Sequence, residues 1–319
     1  MSRVFITGSA DGLGRMAGAL LAKQGHAVTL HARNDRRADD ARRAVPTAEA
    51  VITGDLATIT GMRQVAKAAN AAGRFDAVIH NAGIGHLEPR RLLTEDDLEH
   101  VFAVNVLAPY LLTALIDPPA RLVYLSSGMH RGGQPDLSDP QWARRHWNGA
   151  QAYSDSKLFD VALAFAVARR WPDVLSNALE PGWVATKMGG AGAPDDLSLG
   201  PVTQAWLAVS DEPAATVTGG YFYHQRPRPA HPAARDAAFQ DELLDYCASL
   251  TGVALPGDGS SSAELGQGRL LPRLNRVISS AKASMSRSFQ AVSRSASRSR
   301  TACPAVSSCW RPAAVRVSA

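Results

Sequence analysis

The chain has 319 residues, 45% of them hydrophobic, a net charge of +5 and three cysteines. That is enough apolar material for a real core in one large or two small domains. Cys247, Cys303 and Cys309 have neither metal-ligand nor disulfide-like spacing, which excludes a metal finger or a stapled secreted scaffold and suits a reducing compartment. No apolar run reaches the roughly 18 residues of a membrane span, and Met1-Ser2-Arg3-Val4-Phe5-Ile6 enters a strand-like run without a signal-peptide core, so a cytoplasmic location is expected.

In chain order, Val4–Ile6 reads as a short buried strand running into Thr7-Gly8-Ser9-Ala10-Asp11-Gly12-Leu13-Gly14. A helical pattern follows over 15–24 and closes at Gly25, a residue that tolerates the left-handed helix end. Further strands are expected at 27–33, 50–53, 77–80, 122–125, 174–179 and 219–223. Helical patterns separate them near 59–72, 94–115, 153–171 and 201–209, and a last amphipathic helix is expected over 233–250. Strands alternating with helices imply parallel crossovers, hence an α/β, three-layer, doubly wound Rossmann fold with a parallel sheet of about seven strands. Ligands in such sheets bind beyond the carboxyl ends of the strands, and the loops singled out below begin there.

The positive charge is local. Residues 257–319 hold 10 of the 34 lysines and arginines but 2 of the 29 acidic residues, a net of +8, which leaves −3 for the rest. The expected division is therefore a mildly acidic domain over 1–256 and a Ser/Arg-rich, disordered tail over 257–319.

Gly8, Gly12 and Gly14 lie between strand and helix, where backbone must approach a pyrophosphate and offer N–H groups at a helix N-terminus. Farther on, Tyr153 and Lys157 sit four residues apart, so on a helix they share a face. An ammonium beside a phenol favours the phenolate, and that brings a tyrosine into use as an acid or base near neutral pH.

The motifs Thr7 to Gly14, Asn81-Ala82-Gly83, Tyr153-x-x-x-Lys157 and Pro181-Gly182 together resemble those of the short-chain dehydrogenase/reductase superfamily, over about residues 3–255. The resemblance implies hydride transfer between NAD(P)(H) and a carbonyl or alcohol. It implies Tyr153 as the acid or base and Lys157 as the group that lowers its pKa and binds the nicotinamide ribose. Ser127 would polarise the substrate oxygen and Asn105 would hold a water in the proton relay, while Ser126 aligns with a structural position. It also makes Thr7, Gly8, Ser9, Asp11, Gly12, Leu13, Gly14, Asp55, Leu56, Asn81, Ala82, Gly83, Pro181, Gly182, Val184 and Thr186 the cofactor-binding set. Asp55 would meet the adenine, Asn81 would brace the sheet and Thr186 would take the nicotinamide carboxamide.

The second strand ends in Arg33, 19 residues after Gly14, with Arg36 and Arg37 behind it. An acidic residue there would favour NAD, whereas arginine suits the 2′-phosphate, so NADP(H) is favoured. Asp11 departs from the basic residue of many NADP-preferring relatives.

Ser127 and Tyr153 are 26 residues apart, about double the commonest family interval. The long insertion, with Ser-Ser-x-x-His before it, resembles the retinol-dehydrogenase-like branch, whose substrates are often apolar. Trp142, Trp147 and Trp183 are then candidate pocket walls. Family resemblance further suggests a homodimer or homotetramer built partly through the helices at 94–115 and 153–171. Two other readings exist: a nucleotide-binding regulatory protein without turnover, and a tail that contacts polyanions.

Overall fold

The structure, a computed structural model, describes residues 1–257. The expected tail therefore lies outside the described residues, apart from Gly257.

Each apolar run closes as a strand: β1 (Arg3–Ile6), β2 (Ala27–Ala32), β3 (Ala50–Thr53), β4 (Ala77–His80), β5 (Arg121–Leu125), β6 (Leu175–Glu180) and β7 (Tyr221–Tyr223). They form one sheet in the order β3-β2-β1-β4-β5-β6-β7, all parallel. An eighth strand absent from the sequence expectation, β8 (Arg226–Pro227), pairs antiparallel with β7 across a turn whose His224 and Gln225 have φ of 48° and 60°. The order reverses between β1 and β4, which opens the crevice where such sheets bind ligands.

Helices cover both faces. One apolar cluster packs α1 (Gly12–Lys23), α2 (Asp35–Ala44) and α7 (Val202–Val209) on the sheet through Leu21, Ala41 and Trp206. The other packs α3 (Ile59–Ala71), α5 (Ala108–Leu115), α6 (Gly149–Arg170) and α8 (Ala237–Thr251) on the opposite face through Val65, Leu111, Phe159 and Leu243.

Periodicity missed α2 because it buries only Ala38 and Ala41. Its support is local. The Asn34 side chain accepts from Arg37 N, and Arg37–Asp40, Arg42–Asp39 and Arg43–Asp40 pair one turn apart.

The helix expected from 94 begins only at His100, as α4 (His100–Phe102). The Glu99 carboxylate explains the late start, because it accepts from Val101 N at 2.8 Å and Phe102 N at 2.7 Å and fixes the helix end there. A π-turn over Ala103–Leu107 then leads into α5, with Ala108 N–H bonding Ala103 O. Pro109, in the first turn of α5, has no N–H for the carbonyl of Asn105 four residues back, and the wider turn accommodates that loss.

In α6, every residue from Ala152 to Val167 is buried within the one chain. The covering elements are α8 and the short turn Pro232–Arg235, where Phe159 meets Phe239 at 5.9 Å and Arg235 lies over Phe165. Within the one chain α8 thus packs on α6 and on α5.

Candidate active site

The turn after β1 is built from glycine and short polar side chains. Gly8 has φ of 62°, and a Cβ there would come within 2.7 Å of the Ala82 Cα. Gly14 is packed against Asn81, where a Cβ would meet Nδ2 at 2.3 Å. Asn81 Nδ2 in turn donates to Thr7 O at 3.0 Å and Gly8 O at 3.2 Å, while Thr7 Oγ1 accepts from the Asn81 and Ala82 amides. Thr7, Gly14 and Asn81 therefore lock β1 to β4. The Asp11 carboxylate accepts from Gly12 N at 2.8 Å and caps α1, whose N-terminus faces the crevice.

His31, the penultimate residue of β2, is buried at the same place. Its Nδ1 accepts from Gly8 N at 3.0 Å, which assigns the proton to Nε2 and makes Nε2 the donor to Gly54 O at 2.9 Å. Burial pushes its pKa down to about 4, against the pull of the Gly54 carbonyl and the Asp55 charge. A neutral imidazole thus joins the carboxyl ends of β1, β2 and β3. Ser9 Oγ adds to the knot by accepting from His31 N and donating to Ile6 O.

Cations gather on this side of the crevice. Arg33 is exposed at the end of β2 and lines the cavity. Arg37, on α2, reaches the Asp11 carboxylate and Ala10 O, each at 3.3 Å. Lys187, from the loop after β6, pairs with the same carboxylate. The Lys187 hydrogen bond, the Gly12 amide and the two positive charges hold the Asp11 carboxyl down at about 2. Asp11, the residue that departs from the NADP pattern, thus draws two cations to the glycine loop.

On the far side, α6 presents Tyr153 and, one turn on, Lys157, both buried. Lys157 Nζ donates to Leu125 O at 2.7 Å and to Asp160 Oδ2 at 3.0 Å. Burial pushes the Asp160 carboxyl up to about 6, with the Lys157 ammonium opposing it. Asn105 is fully buried in the π-turn, where its Oδ1 accepts from Ile84 N and its Nδ2 donates to Ile84 O and Ser156 Oγ. Gly83 runs between these groups, since a Cβ on it would lie 3.5 Å from Asn105 Oδ1 and 3.6 Å from Lys157 Nζ. Ser126 Oγ donates to Lys157 O, and Ser127 Oγ accepts from Met129 N as it starts the turn Gly128–Gly132. The Tyr153 hydroxyl meets Met188 Sδ at 3.8 Å, and the His86 ring lies 5.9 Å from the phenol ring.

These residues surround a cavity of about 670 Å³ at the carboxyl edge of the sheet, a size suited to a small ligand or cofactor. Gly8, Asp11, Gly12, Leu13, Arg33, Asp55, Leu56, Asn81, Ala82, Gly83, Tyr153, Lys157, Pro181 and Thr186 line it. Thr7, Ser9, Gly14, Gly182, Val184, Asn105 and Ser127 are not among the lining residues, while Ser126 is. The helix N-terminus, the open face at Gly12 and the surrounding cations fit a phosphate-bearing dinucleotide.

None of the three tryptophans lines the cavity. Trp142 is buried beneath the Arg145 guanidinium at 3.8 Å, Trp147 Nε1 donates to Glu88 O, and Trp183 is exposed with its indole bonded to Gly189 O. The insertion is instead tied to α6, where Arg145 and Gln134 N both reach Asp155. Sequence reasoning placed Arg37 beside Arg33 but missed His31, Asp160, Lys187 and Met188 as parts of the site. His31 and Asp160 were legible as polar residues inside apolar runs, whereas Lys187 and Met188 owe their place to a loop fold that no periodicity encodes.

The family described as short chain dehydrogenase matches residues 2–135. Oxidoreductase AN7799 of Emericella nidulans is 44% identical over 261 residues, 81% of this chain and 100% of that protein. Retinol dehydrogenase 13 of Homo sapiens is 30% identical over 285 residues, covering 79% of this chain and 85% of the other. A crystal structure of a protein from Mycobacterium paratuberculosis superposes with a TM-score of 0.69 at 27% identity, covering 80% of this chain and 95% of that one.

Proposed function

Since this chain belongs to the short-chain dehydrogenase/reductase superfamily, in its retinol-dehydrogenase-like branch, we propose that it is an NADPH-dependent reductase of apolar aldehydes or ketones. The observation that carries the reading is the Tyr153 hydroxyl, which shares one cavity with the glycine loop and stands one helical turn from a buried ammonium.

NADPH, when bound, supplies the hydride. Tyr153 then gives its hydroxyl proton to the carbonyl oxygen of the substrate, and in the reverse direction takes the alcohol proton. Lys157, one turn on in α6, directs its Nζ to the same cavity, with Leu125 O and Asp160 as its partners. Ser127 Oγ accepts from Met129 N, which leaves its O–H as the donor for the same substrate oxygen. Asn105, pinned by Ile84 and Ser156, fixes the π-turn whose Asn105 carbonyl Pro109 cannot engage, and that carbonyl is a suitable anchor for a relay water.

Preference for NADPH is supported by Arg33 at the end of β2, with Arg37 beside the glycine loop. An apolar substrate is supported by Met188, which lines the cavity against the Tyr153 hydroxyl. The name of retinol dehydrogenase 13 points the same way.

The test is NADPH and NADH binding followed by oxidation of each with a panel of aldehydes and ketones. Tight NADPH binding with turnover that vanishes in Tyr153→Phe is the expected result. Equal affinity for both cofactors would remove the Arg33 argument. Binding without turnover on any carbonyl would overturn the reductase in favour of a regulatory nucleotide-binding protein.

A further inference from the structure

Among the groups behind the cavity, Asp160 is the one whose polar contacts point to a single purpose. It lies three residues after Lys157 on α6, and both side chains turn inward, 2% and 5% exposed. Among the described residues, Lys157 Nζ is its only hydrogen-bond partner, and its second oxygen, Oδ1, has none. Among those residues, neither oxygen of Asp160 accepts from a backbone amide or from a side chain of another element. Its hydrogen bonding is confined to one ammonium.

We infer that Asp160 is a positioning residue for the proposed reaction: it holds Lys157 charged and fixed behind Tyr153, and acts on the Tyr153 proton through Lys157. The inference rests on the reductase reading above. A lysine ammonium has three donors. Two are taken by Leu125 O and Asp160 Oδ2, and the third remains for the cavity that Lys157 lines. A buried ammonium without a counter-ion reverts to the neutral amine, and a neutral amine has no field with which to ionise a phenol.

The side chains facing Asp160 from neighbouring elements do not provide that charge. Tyr124 on β5 and Tyr221 on β7 are phenols whose pKa burial pushes up, so both are neutral. Tyr124 is bonded to Thr113, and Thr113 to His80, a histidine that burial keeps neutral down to about pH 3. Lys157 and Asp160 are therefore an isolated pair, each the other's counter-ion.

The experiment is a double-mutant cycle of Asp160→Asn and Lys157→Met, read by kcat against pH on an accepted carbonyl and its alcohol. Asp160→Asn is expected to lower kcat at pH 7 by about tenfold or more and to move the alcohol-oxidation profile to alkaline pH by about one unit. In the Lys157→Met background the same substitution should change kcat by less than about twofold and leave the profile in place. A folded Asp160→Asn with the wild-type profile, or an equal loss in both backgrounds, overturns the inference.

Should Asp160→Asn fail to fold, the double variant decides. Recovery of folded protein in Lys157→Met/Asp160→Asn supports the counter-ion role, because removing the ammonium removes the unpaired charge. Failure of the double variant where Lys157→Met alone folds overturns it, since Asp160 would then be needed for another reason. A wild type inactive on every carbonyl is a different outcome: it overturns the reductase reading, and the folding comparison still tests the pair.

Discussion

Replacing His31 tests whether the glycine loop is held by a neutral imidazole. In His31→Leu, the Gly8 amide and the Gly54 carbonyl both lose their partner beside a buried side chain. An orphaned buried donor or acceptor costs about 1–3 kcal/mol, so the pair should cost about 2–6 kcal/mol by urea unfolding. His31→Asn can return an acceptor near the Nδ1 position, and His31→Gln a donor near Nε2, so each should recover part of the loss. Because Gly8 lines the cavity and Gly54 does not, NADPH affinity should fall less in His31→Asn than in His31→Gln. The assay is urea unfolding and NADPH titration across the four proteins. A His31→Leu protein within about 1 kcal/mol of wild type, or Asn and Gln variants no better than Leu, would refute the reasoning.

The same histidine predicts an acid limb of stability. Its pKa is 6.5 unfolded and about 4 folded, so its contribution is complete above pH 6.5 and is lost as pH falls toward 4, by about 3 kcal/mol. Unfolding free energy measured across that window should flatten in His31→Asn. Burial raises Glu99 to about 7, which works in the opposite direction, so Glu99→Gln should steepen the same limb. Gly14→Ala forces a Cβ to within 2.3 Å of Asn81 Nδ2, and should cost about 1–3 kcal/mol of stability together with much of the NADPH affinity. Lys187→Ala removes one arm of the exposed Asp11 pair; stability should hold in thermal unfolding, while NADPH release in stopped flow should quicken several-fold at low salt and less so in high salt. Cutting the chain before α8 uncovers the apolar faces of α5 and α6, and should turn a well-behaved protein into an associating one by size-exclusion chromatography.

Seven of the eight strands were legible as short apolar runs, four of them ended by Thr7, Gly54, Asn81 or Ser126, a signal within five or six residues. The edges of that legibility have local causes. Arg33 has the composition of a strand end but lies just past the last residue of β2, and α2 has no apolar stripe because two alanines suffice to seat it. At 94–99 the run of carboxylates reads as the polar first turn of a helix, yet Glu99 caps the chain at His100, and one carboxylate among four is easily taken as part of that polar face.

The site divides in the same way. Gly8, Gly12, Gly14, Tyr153 and Lys157 could be named because the chemistry depends on spacing inside one turn. Asp160 was equally close in sequence, but helical spacing alone does not say whether a carboxylate beside lysine faces water or the core. That answer comes from α8 and the sheet closing over α6, a contact between residues some 80 positions apart, as Phe159 with Phe239 illustrates. The contact of Lys187 with Asp11 spans 176 positions and depends on how the loop after β6 lies. What a sequence conceals here is the charge partner, because pairing needs the tertiary fold while reactivity motifs need only a turn. The Asp160 cycle therefore matters beyond this chain: if a motif lysine works only with a carboxylate that the motif omits, matching Tyr-x-x-x-Lys does not establish a competent acid.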